Sequence, residues 1–231
     1  MQRRKFTSGL AVVGGVWGLT LVPPASAAGI TESDAALGVR AALERGASSA
    51  VSLLGQAGGF LNNPKVRIPL PGFLNDAAKL LKFTGQQKRV DDLILAMNRA
   101  AEAAVPQAKA LLINAVKSMS VEDGRQILTG GDNSVTTFFA SKTRQPLSVT
   151  FLPIVTKQTE KVSLAAKYNS VAGKASSVGL VGKDDANIEQ YVTSKALDGL
   201  YLMIGEEERK IRKDPIGTGS AILQKVFGSL K

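Results

Sequence analysis

Val90, Leu93, Ile94, Met97, Ala101 and Ala104 recur at steps of three and four residues, which lays them along one face of an α-helix. The same spacing returns along the chain, and no array of alternating apolar and polar residues competes with it. Leu37 to Leu54 carries a first stripe, with Thr31 or Ser33 as N-cap and Gly55 and the Gly58-Gly59 pair as its end. A short helix is expected from Phe73 to Lys82. Pro106 either kinks the 90–104 helix or starts the next one, on which Leu111, Leu112, Ala115, Val116 and Met119 continue the apolar face.

Further on, Ser120 and Asp123 form a capping arrangement for a short helix that Gly130-Gly131 stops. Asn133 or Ser134 opens a helix bearing Val135, Phe138 and Phe139, and Pro146 marks another start. From Leu147 to Ala165 the spacing predicts a long helix towards Tyr168, kinked at Pro153, while the Gly, Ser and Lys of 173–185 read as a mobile loop. Ile188 to Ile204 forms the next stripe, Asp214-Pro215 ends it, and Thr218 or Ser220 opens a terminal helix with Ile222, Leu223, Val226 and Phe227. The expectation is an all-α protein: a compact multi-helix domain of short to medium helices over 28–231.

One segment departs from this pattern. Pro69 and Pro71 stand at alternate positions near 64–72, which forbids a helix and favours an extended run. It reads as a short edge strand or a connector lying on the core, and an exposed apolar loop there could also touch a membrane.

The 231 residues include no His and no Cys. That removes imidazole and thiolate metal sites, disulfides, Cys nucleophiles and any Ser-His-Asp triad. With S-x-x-K, G-x-S-x-G, G-x-G-x-x-G and P-loop patterns also missing, no catalytic residue, cofactor or metal is assigned. Asp91-Asp92, Glu122-Asp123 and Asp184-Asp185 are adjacent carboxylates, but neighbours on a helix point about 100 degrees apart, so solvation at helix starts and loops explains them.

Arg3, Arg4 and Lys5, an apolar stretch from Leu10 to Val22, and Ala25-Ser26-Ala27 have the form of a signal peptide cleaved after Ala27. The paired arginines fit a twin-arginine signal and a general secretory one equally, so the expected location is the periplasm by either route. A retained N-terminal anchor is the alternative to cleavage; after cleavage no stable transmembrane anchor is expected. Without the leader, 26 basic residues face 19 acidic ones, a net +7. That charge suits an anionic partner, although Lys and Arg are dispersed and aromatics make up only 5%, so no nucleic-acid platform is read.

The polar constellation that stands out is Asn98, Arg99 and Glu102, with Arg99 and Glu102 three apart among alanines. Thr136, Thr137, Glu207, Arg209 and Arg212 are the candidate neighbours that would cover it. Two readings apply: a clasp that fixes helix packing, or a site for a ligand or for chemistry.

Several blocks in order resemble the bacterial family called domain of unknown function 4197. They are Asn62 to Pro71, Leu95 to Glu102, Ile127 to Gly130 followed by Val135 to Phe139, and Ile211 to Pro215 with Lys225 to Gly228. The resemblance spans about Ser33 to Gly228 and implies an exported helical protein without an assigned activity; Gly217 to Gly219 departs from the family's more basic turn. The functional expectation is a non-catalytic binding or interaction factor of the cell envelope, its partner an envelope protein or a lipid-like or anionic ligand. The alternative is a carboxylate-dependent hydrolase or lyase using Glu102 with nearby Arg or Lys.

Overall fold

The computed structural model describes residues 32–131, 134–177, 179, 182, 185 and 187–214. The expected signal sequence, the expected caps at Thr31 and Asn133, the 217–219 segment and the terminal helix expected after it lie outside these residues. Eight α-helices and the 3-10 turn Val105–Gln107 account for most of the described chain, and no strand occurs among the described residues. In order they are α1 (Glu32–Leu54), α2 (Gly72–Phe83), α3 (Gln87–Ala104), α4 (Ala108–Lys117), α5 (Val121–Thr129), α6 (Ser134–Thr159), α7 (Ser163–Ser177) and α8 (Ile188–Lys213). The 3-10 turn, Val105–Gln107, holds Pro106 at its start and joins α3 to α4, so the proline begins a new helix instead of bending the old one.

The organising element is α8. Its buried residues lie all around its circumference, Tyr191, Val192, Ala196, Leu197, Leu200, Tyr201 and Ile204 among them, which marks a helix enclosed on several sides. It packs against α6, α1 and α3. Small residues make this closeness possible: Ala100, Ala101 and Ala104 of α3 and Ala47 and Ala50 of α1 are buried with almost no exposure. Gly199 is the tightest point, since a Cβ there would stand 2.8 Å from Phe60 Cε1 and 3.2 Å from Val66 Cβ.

Two boundaries differ from the sequence expectation. Pro146 does not start a helix; α6 runs unbroken from Ser134 to Thr159 through both Pro146 and Pro153. The carbonyls that lose their helical partners are those of Lys142 and Val149, and both residues lie on the exposed face of the helix, where an unpaired carbonyl costs least. The break comes instead at 160–162, and α7 carries Tyr168. Gly173, expected in a loop, lies inside α7. At α5 the capping box is present as read: Ser120 Oγ accepts from Asp123 N at 3.0 Å, and Asp123 Oδ2 accepts from Ser120 N at 2.9 Å.

Between α1 and α2, residues 55–71 form a long connection without α-helix. It starts with a sharp reversal at Gly58 (φ 88°) and Gly59, where added Cβ atoms would meet Asn62 Nδ2 and the Leu53 and Leu54 carbonyl oxygens at 2.5 Å. Past Pro64 its side chains alternate: Val66, Ile68 and Leu70 are buried while Arg67 and Pro69 are exposed. The expected extended segment is therefore a connector laid on the core.

Candidate functional site

The connection is held to α3 by two buried polar side chains one helical turn apart. Asn98, fully buried, accepts from Ile68 N through Oδ1 at 2.9 Å and donates to Ile68 O through Nδ2 at 3.0 Å, a strand-like pairing made by a side chain. Its Nδ2 also donates to Ile94 O at 2.8 Å. Glu102, 4% exposed, accepts the N–H groups of Phe60 and Leu61 on Oε1, both at 3.1 Å, while Oε2 takes Arg99 Nη1 at 2.6 Å. From α8, Tyr191 Oη donates to Pro69 O at 3.1 Å and Glu206 pairs with Lys65 at 2.5 Å.

Burial pushes the Glu102 pKa up, but the Leu61 N–H, the Arg99 guanidinium and the N–H groups of Gly58 and Phe60 together outweigh it, and the carboxyl is held below its ordinary value of 4.5. Glu102 is thus an ionised anchor with both oxygens engaged. A general acid needs the opposite shift.

Of the eight sequence candidates, Asn98, Arg99 and Glu102 make this one unit, and the other five are engaged elsewhere. Arg212 pairs with Glu208 and donates to Ile127 O at 2.7 Å and Leu128 O at 3.5 Å, covering carbonyls at the end of α5. Glu207 accepts from Ser49 Oγ at 3.1 Å and from Lys210 at 2.5 Å, and Arg209 pairs with Glu206. Thr136 Oγ1 donates to Tyr201 O at 3.4 Å, and Thr137 lines a small pocket between α5 and α6. The buried acid in this region is Glu208, which sequence reading passed over beside Glu207; its spacing from Ile204 and Ile211 was the signal.

What sequence reading missed altogether is a groove on the outer side of the connection. Arg67, Lys79 and Lys82 stand around a floor of Pro69, Leu70, Ala78, Val90 and Ile94, in a groove of about 640 Å³, and its described lining residues include no acid. Its origin is the alternation of 66–70: the register that gives Ile68 to Asn98 turns Arg67 and Pro69 outwards. The volume is in the range of small-molecule sites. Three cations over an apolar floor can hold a molecule with an anionic head and an apolar body, Arg67 offering two parallel donors to a carboxylate or phosphate. No group of three acidic residues suited to a metal ion occurs among the described residues.

No helix among the described residues is long and apolar enough to cross a membrane. No curated protein and no solved structure matches the chain. A family model, Protein of unknown function (DUF4197), matches residues 29–228, and the chain belongs to that family.

Proposed function

We propose that this DUF4197 protein is an exported, non-catalytic binding factor of the cell envelope whose ligand is an anionic amphiphile seated between residues 64–70 and the α2–α3 pair. The observation that carries the reading is the described lining of the groove, cationic at Arg67, Lys79 and Lys82 and apolar beneath. The head group sits at Arg67 and Lys82, and the tail lies along Pro69, Leu70 and Val90. The leader-like first 27 residues support an envelope location. Glu102 has its place in the account as the anchor that shapes the groove wall, and nothing in its bonding favours a hydrolase or lyase.

Native mass spectrometry of the protein purified from its own cells tests this. A retained small anionic amphiphile is the expected result. Empty protein that also fails to take up added palmitate would refute it.

A further inference from the structure

The turn beyond the groove carries a feature that ligand binding within the groove does not need. Phe83, the last residue of α2, is 95% exposed. Single exposed apolar residues are common, but the setting of this one is particular. From Ala77 to Val90 the chain holds Lys79, Lys82, Lys88 and Arg89, with Asp76, Asp91 and Asp92 just outside that run and Lys88 paired with Asp92 at 3.1 Å, so a bare aromatic ring stands at the apex of a helical hairpin whose tip is basic.

The apex is a defined turn. Gln86 N donates to Leu81 O at 2.8 Å, Gly85 N to Lys82 O at 3.2 Å, and Thr84 Oγ1 to Leu81 O at 3.1 Å, while Gly85 takes the left-handed backbone (φ 75°) that reverses the chain. Lys82 and Lys79 also line the groove, so groove and apex are continuous.

We infer that this hairpin apex docks on an anionic phospholipid bilayer, with Phe83 inserted at the head-group boundary and Lys82 and Arg89 on the lipid phosphates. An exposed aromatic ring with cations close by in sequence is the chemistry that partitions to such an interface, gaining from apolar burial and from the negative surface together. Charge complementarity selects the lipid, and the ordered turn presents the ring with little further loss of entropy. The inference deepens the groove reading and rests on it for the cargo: docking places the groove mouth beside the bilayer from which an amphiphile would pass.

The test exploits the chain's one tryptophan, Trp17. The double variant Trp17→Phe, Phe83→Trp carries its only indole at position 83, whether or not the leader is removed. Added phosphatidylglycerol vesicles should shift its emission to the blue, brominated phosphatidylglycerol should quench it, and phosphatidylcholine vesicles should do neither. In co-sedimentation, Phe83→Ala should weaken phosphatidylglycerol binding at least tenfold while palmitate binding is kept. An indole that ignores phosphatidylglycerol, or that responds equally to soluble polyglutamate, overturns the docking. Failure of palmitate to bind, with the emission shift intact, sinks the groove reading alone.

Discussion

Asn98 and Ile68 are joined by a reciprocal pair of hydrogen bonds, the amide side chain of one matching both main-chain groups of the other. This is how a segment that contains two prolines and cannot join a helix is fixed on an all-helical core. Asn98→Ala leaves the N–H and C=O of a buried residue unpaired. It is expected to cost about 2–4 kcal/mol in urea unfolding, with faster amide exchange over 60–70 than elsewhere.

Glu102 gives a pH signature. Its carboxyl titrates below 4.5 in the folded chain and near 4.5 when unfolded, so its contribution is fully present above about pH 4.5 and is lost as the pH falls through the folded value. Glu102→Gln removes the charge and one of the strong acceptors. The stability gap between wild type and variant should be about 2 kcal/mol at pH 7 and should shrink at pH 3. Equal gaps at the two pH values would contradict the ionised anchor.

At Gly199 the connection touches α8 with no room for a side chain. Gly199→Ala forces Phe60 or Val66 to move, an overpacking expected to cost about 1–3 kcal/mol. Because the same connection forms one wall of the groove, the variant should also weaken palmitate binding although position 199 does not line that groove. Thermal unfolding and a palmitate titration on one sample check both.

Much of the fold was legible because helical stripes are local. The α3 stripe, the Ser120 capping box and the non-helical run at 64–72 need no tertiary information. The continuity of α6 does: a proline is tolerated inside a helix where the carbonyl it strips faces outwards, as at the exposed Lys142 and Val149, which depends on how the helix lies on the core. Asn98, Arg99 and Glu102 stood out in sequence as a polar group among alanines on one helix. What covers them, a connection 30–42 residues away, could not be read from spacing. The groove was hidden for the same reason, since Arg67, Lys79 and Lys82 come together only after the connection has been laid against α3.

The cationic rim makes a further prediction. Arg67→Glu and Lys82→Glu alter exposed residues and should change stability by no more than about 0.5 kcal/mol. Each should lower palmitate affinity at least tenfold, because a repelling carboxylate replaces an attracting cation at the head group. Unchanged affinity in both would place the ligand elsewhere.

The most direct measurement is a calorimetric titration of the wild-type protein with palmitate at low and at high salt, beside the uncharged analogue hexadecanol. A cationic groove over an apolar floor should give saturable one-to-one binding of palmitate that weakens with salt, with hexadecanol binding at least tenfold more weakly. No saturable binding, or equal affinity for the two compounds at either salt, would contradict it.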